Sequence, residues 1–249
     1  MGWDTKTMDY DELPDTIPVF PLPEVLLLPR GQLPLNIFEK RYLSMVDHAM
    51  RTHRMIGMVQ PDYHIQNPGS QDGHKNDIKC DDKDKVIDNT TPLHKIGCAG
   101  RITSYEETED GRYLITLTGI CRFRIVKEIS HPDVPTKIDF FRQAKAAWGG
   151  FEADLHPVGC LDLDKKKLTD MLKRYFDQEG LTCSWESVEN APDEKLITCL
   201  AMICPFGAVE KQALLESRCC QERAYLFMSL LEMALGADEK GIEIPRTCH

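Results

Sequence analysis

Residues able to cleave a bond, hold a metal or grip a phosphate are present in this chain, but their spacing suits none of those tasks. Ten cysteines stand at positions 80, 98, 121, 160, 183, 199, 204, 219, 220 and 248. None is spaced C-x-x-C, so no pair of close thiolates can bite one zinc ion. Most sit where a small apolar residue would serve, and they read as buried, reduced thiols. Cys160 lies near His156, but Pro157 between them makes this stretch a loop, not a nucleophile–base pair. His48 and His53 miss the four-residue spacing that places two ligands on one helical face. Asp81, Asp82 and Asp84 invite a calcium reading. A calcium loop opened at Asp82, however, has Ile87 where glycine must turn and Leu93 where a glutamate must close the shell. No G-x-x-x-x-G-K-[ST] cradle for phosphate occurs. The expectation is no catalytic residue, no metal and no cofactor.

Composition narrows the field further. The chain has 249 residues, 42% hydrophobic and 28% charged, enough for one large domain or two small subdomains with a sizeable core. Its net charge of −10 works against binding nucleic acid or anionic membrane. The opening M-G-W-D-T-K-T-M-D-Y is acidic and has no apolar heart, so it does not read as a signal peptide. The longest mainly apolar run, Leu196 to Val209, is too short to span a bilayer and is broken at Pro205. A cytoplasmic protein is expected.

What must position any functional residue is the stretch from Ile17 to Met50. Pro18, Pro21, Pro23, Pro29 and Pro34 punctuate short apolar bursts, which read as edge strands and turns because proline lacks a ladder donor. Phe38, Tyr42, Val46, Ala49 and Met50 then recur at helical spacing, predicting a helix over about Glu39–His53. Arg41 in its first turn opposes the helix dipole and calls for an acceptor nearby. A strand follows at Met55–Val59, then an exposed acidic excursion over 61–92. Ile96–Lys127 reads as a long hairpin turning at Asp110-Gly111. The pairs would be Glu109–Arg112, Thr103–Thr118 and Ala99–Arg122, with one face apolar and Arg101, Arg122 and Arg124 on the polar face. Another strand is expected in Phe140–Trp148. From Asp164 the period is helical. Leu168, Met171, Leu172, Tyr175 and Phe176 form a stripe that ends at Gly180. A central helix follows Pro192, a short one covers Val209–Leu215, and a long one covers Cys220–Leu235. The resulting division is a tail over 1–16, a β-rich part over 17–150, a helical part over 151–236 and a tail over 237–249.

The string F-P-L-P-x-V-L-L-L-P-x-G-x-L-P-L-x-I-F-E-x-R-Y, from Phe20 to Tyr42, resembles the N-terminal substrate-binding domain of the Lon proteases, and more closely the free-standing bacterial proteins made of that domain alone. The hairpin and the string C-P-F-x-x-x-E-K-Q-A-L-L-E, from Cys204 to Glu216, are similar to the same family. The resemblance implies an α+β fold: a twisted PUA-like β pseudo-barrel with one packed helix, followed by a C-terminal helical bundle. It makes Pro21, Gly31, Glu39, Arg41, Tyr42, Asp110 and Gly111 structural motif residues. It also implies a non-catalytic module for unfolded or apolar protein segments, working with a protease or ATPase partner, since neither the ATPase nor the Ser-Lys peptidase of Lon is expected here. Leu33, Leu35, Phe38 and Tyr42 are the candidate client contacts. The alternative is RNA binding through Arg101, Arg122 and Arg124, because PUA-like folds include RNA binders.

Overall fold

The computed structural model describes residues 9–63, 91–129, 141–157, 159 and 161–239. The acidic stretch around Asp81–Asp84, Cys80, Cys160, Cys248, the first half of the expected N-terminal tail and most of the C-terminal one lie outside the described residues. The chain forms two compact units, Met1–His156 and Pro157–His249.

In the first unit six strands are laid down: β1 Thr16–Pro21, β2 Gln32–Ile37, β3 Met55–Val59, β4 Ile96–Glu107, β5 Tyr113–Glu128 and β6 Arg142–Ala147. The order is β2-β5-β4-β3-β1-β6, and a further β5–β6 pairing closes five of them into a ring. β5 is long enough to serve two partners along one edge. Its first half, Tyr113–Thr118, pairs with β2, and its last part, Arg124–Glu128, pairs with β6. Ile17, Val19, Phe123, Ala144 and Trp148 lie among the residues that fill the core.

The proline-rich entry is less peripheral than expected. β1 is flanked on both sides, by β6 over Thr16–Val19 and by β3 over Val19–Pro21. Two proline positions are tolerated because the pairings overlap only at Val19, and because the Leu22 N–H donates to Val59 O (3.1 Å) just beyond Pro21. β2, in contrast, is an edge strand. Between them, the Leu28–Gly31 turn closes by Gly31 N–H to Leu28 O at 2.9 Å and seats on Gly119. A Cβ on Gly119 would stand 2.0 Å from Leu28 O, so only glycine fits.

The β4–β5 hairpin forms with a shifted register. Its loop holds three residues, closed by Thr108 N–H to Arg112 O (2.9 Å), with Gly111 at φ +77. Glu109 therefore does not pair with Arg112. Cys98 stands opposite Arg122, Ala99 opposite Cys121 and Arg101 opposite Thr118. Thr103 falls in an irregularity, yet its hydroxyl still lies 2.9 Å from that of Thr118. Helix α1 (Lys40–Arg51) buries Tyr42, Met45, Val46 and Ala49, one stripe at helical spacing. Glu39, its N-cap residue, supplies the acceptor that Arg41 needed, at 2.9 Å from Nε and 2.8 Å from Nη2.

The second unit is helical: α2 Lys165–Glu179, α3 Trp185–Asn190, α4 Asp193–Ile203, α5 Ala208–Glu216 and α6 Cys220–Glu239. Asp164 caps α2 by accepting the Lys167 N–H, and Gly180 ends it. The α2 stripe is buried as expected. α3 was not foreseen: six residues capped by Ser184 are too few to display a period. Ile203, at the end of the helix expected to be central, is 61% exposed, because α4 ends there and turns only Cys204 inward. The Pro205-Phe206-Gly207 break puts Phe206 between Tyr175 of α2 and Phe227 of α6, ring centres 5.9 and 5.6 Å away.

Gly119→Ala should lower unfolding free energy by about 1–3 kcal/mol, since the new methyl meets backbone that cannot rotate away. Denaturant titration of both proteins measures it, with Gly159→Ala, which meets open space, as the neutral control.

Candidate functional site

β2 and the residues after it carry the candidate contacts. The Gly119 N–H donates to Gly31 O at 2.8 Å, which makes Gln32–Thr118 a wide pair and sets the phase of the β2–β5 ladder. Leu33, Leu35 and Ile37 then occupy the narrow, hydrogen-bonded pairs opposite Leu117, Ile115 and Tyr113. Proline at position 34 fits that phase, because its missing N–H falls on the outer side. On the shared face Ile115, Leu117 and Ile37 are buried, while Leu33 and Leu35 remain half-buried. The Tyr113 hydroxyl donates to Asp47 Oδ1 of α1 at 3.2 Å, tying the row to the helix.

Phe38, between β2 and α1, is 65% exposed. Tyr42 is not a surface contact. It is 5% exposed, its ring centre is 4.3 Å from that of Phe20, and the Arg41 guanidinium lies 4.5 Å over its face. Burial pushes its hydroxyl up to about 12. The reason is the turn into α1, which rotates position 42 onto the core stripe. Leu26, Leu27 and Leu28 are likewise fully inside. The other motif residues are structural in their contacts: Pro21 ends β1, Gly31 bonds Gly119, Glu39 holds Arg41, and Asp110 and Gly111 form the hairpin loop.

The three arginines of the alternative reading do not form a patch. Arg124 is exposed and Arg101 half-buried, but Arg122 is buried. Its backbone N–H and Nε donate to Asp154 Oδ2 at 3.0 and 2.8 Å, and Nη2 donates to Oδ1 at 2.8 Å. The guanidinium lies 5.0 Å over the Phe151 ring. Alternation made this a polar face, but the 3-10 turn Glu152–Leu155 covers the sheet at that level, so Cys121, Arg122 and Phe123 are all buried. Arg30 Nη2 donates to Asp154 O at 3.1 Å, linking the Leu28–Gly31 turn to the same residue. Asp154 was missed from sequence, where E-A-D carries no spacing signal. A second bidentate pair, Arg142 to Glu128 at 2.7 and 2.6 Å, was missed for the same reason.

Among the described residues, no three His, Cys, Asp or Glu side chains converge to hold a metal ion. His53 Nδ1 accepts the Met55 N–H at 3.1 Å, and burial lowers its pKa. Cys98, Cys121, Cys204 and Cys220 are buried thiols, whereas Cys199 on α4 and Cys219 just before α6 are exposed. No helix among the described residues is long and apolar enough to cross a membrane.

A ring-closed β unit, an appended edge strand and a helical unit define the class, a mixed α/β protein of the Lon N-terminal fold. The chain belongs to the ATP-dependent protease La (LON) substrate-binding domain family, matched over residues 16–233. It is 24% identical over 253 residues to the Lon protease of Cytophaga hutchinsonii, covering 97% of this chain and 26% of that protease. With Lon protease 2 of Myxococcus xanthus it shares 22% identity over 227 residues, covering 90% of this chain and 24% of the relative. The chain thus spans about a quarter of the length of these proteases. Its fold is similar to a Lon N-terminal domain protein from Xanthomonas campestris, with TM-score 0.53 and 18% identity over 86% of this chain and 97% of that one. It is also similar to the N-terminal domain of the Mycobacterium avium complex Lon protease, with TM-score 0.52 and 14% identity over 87% of this chain and 98% of that one.

Two outcomes test this description. Asp154→Ala strands Arg122 as a buried charge and should cost about 3–5 kcal/mol in denaturant titrations, against less than about 0.5 kcal/mol for Arg124→Ala. Stability should also decline as pH rises. Burial holds Cys121 and Cys204 protonated to about 12, against 9.0 for a free thiol, so the unfolded chain releases those protons first. The unfolding free energy should then fall with pH from 9.0 upward, and pH-dependent melting curves check the sign.

Proposed function

We propose that this protein is a non-catalytic, cytoplasmic module that recognises exposed apolar segments of client proteins and presents them to a protease or ATPase partner. Membership of the Lon substrate-binding family supports protein as the ligand class. The observation that carries the reading is the exposed Phe38 ring at the end of β2, a strand whose Leu33 and Leu35 are only half-buried. Tyr42 and Ile37 fix the backbone on either side of Phe38, so the ring is presented from a rigid junction and loses little freedom on binding. Covering Phe38 and completing the burial of one leucine would contribute roughly 2–5 kcal/mol before ordering costs, which gives weak, releasable binding. That suits a module that must hand its client on.

RNA binding would have to rest on Arg101 and Arg124 alone, with Arg122 already committed to Asp154. The two ligand classes differ in salt dependence. Titrating a fluorescently labelled unfolded apolar peptide at 50 and 500 mM salt should give affinities within about threefold, whereas RNA affinity falls steeply over such a range. Phe38→Ala should weaken the peptide about tenfold with unchanged thermal stability. Peptide binding that ignores Phe38→Ala, or binding of RNA alone, sinks the proposal.

A further inference from the structure

A strand edge is a template for another strand, and two edges of the β2–β5–β4 layer stand open among the described residues. They are guarded differently. The end of β4 carries Glu106 and Glu107, exposed charges that repel an incoming strand. β2 has no charge anywhere in Q-L-P-L-N-I, and its residues are otherwise suited to pairing. The ladder phase set by Gly119 and Gly31 turns the backbone groups of Gln32, Pro34 and Asn36 outward, and all three residues are exposed. Outward N–H groups recur every second residue, about 7 Å apart. Pro34 deletes the middle one.

We infer that Pro34 is the specificity-determining residue of this edge. An extended chain can dock there through the separated amides of Gln32 and Asn36, but it is not held as a continuous added strand, and a second copy cannot zip onto it. The client is therefore gripped mainly by its side chains, which makes release fast. The client half rests on the function proposed above; the second-copy half does not.

Pro34→Thr restores the donor without adding apolar surface, and its N–H lies outside the β5 ladder. Sedimentation of this variant should show self-association at least about tenfold stronger than wild type, reversed by adding Asn36→Pro. Amide exchange at Gln32 and Asn36 should slow relative to wild type. A labelled extended apolar peptide should leave the variant about tenfold more slowly, the effect of one restored hydrogen bond. A folded Pro34→Thr with unchanged self-association and unchanged peptide release overturns the inference. If that variant does not fold, Asn36→Pro in the wild-type background replaces it. It should weaken the peptide about three- to tenfold at unchanged melting temperature, and unaltered affinity overturns the inference. Absence of peptide binding by wild type defeats the client reading instead, and the self-association result then decides the role of Pro34.

Discussion

Gly119 has no side chain, and the backbone of Leu28 and Pro29 occupies the space one would fill. That contact organises much of the first unit. Gly119 O takes the Arg30 N–H at 2.8 Å, and its own N–H reaches Gly31 O at the same distance. The turn so fixed sends the chain into β2 in a single register, since slipping by one residue would bring Pro34 into a hydrogen-bonded pair. It also aims Arg30 at the carbonyl of Asp154. A candidate site on β2 thus inherits its position from a glycine on another strand.

Two ion pairs, one fully buried and one joining a buried arginine to an exposed glutamate, do related work. Arg122 with Asp154 fastens the 3-10 turn across the closed sheet, and Arg142 with Glu128 joins β6 to the end of β5 while Nη1 reaches Thr91 O at 2.7 Å. Such pairs offset their own desolvation only when the geometry is good, and both are bidentate. Their value here lies in specificity of placement. An arginine fork accepts one orientation of its carboxylate, so each pair fixes where a connection crosses the sheet. The same pairing removes Arg122 from the surface chemistry that its place in the alternation suggested.

The half-buried Leu33 and Leu35 leave little apolar surface at the β2 edge, which is compatible with the transient binding proposed above. A strand rich in leucine with an open edge risks pairing indiscriminately, and a single proline removes the donor that would make pairing continuous. In the proposed reading, side-chain contacts remain for recognition and backbone contacts are few. The helical unit reaches stability by another route, the Tyr175–Phe206–Phe227 aromatic cluster beneath a proline break.

Sequence alone determined the elements whose signal is local. The Ile102, Ile115 and Leu117 part of the hairpin face, the Val46–Ala49 part of the α1 stripe, the α2 helix ending at Gly180, and the family motif from Phe20 to Tyr42 were all legible, because period and helix-ending residues report on neighbours in the chain. The hairpin loop was legible in place but not in length; one extra loop residue moved most pairs by a step, and two irregularities in β4 moved Gly100–Ile102 by a second. Only tertiary structure decided that β1 is paired on both sides, that Tyr42 packs on Phe20 while Phe38 stays exposed, and that Arg122 is buried. Each of these depends on a segment distant in sequence arriving to cover a face: β6 beside β1, the core beneath α1, and Asp154 over β5. Alternation states which residues share a face of a strand, but whether that face meets water depends on what folds over it.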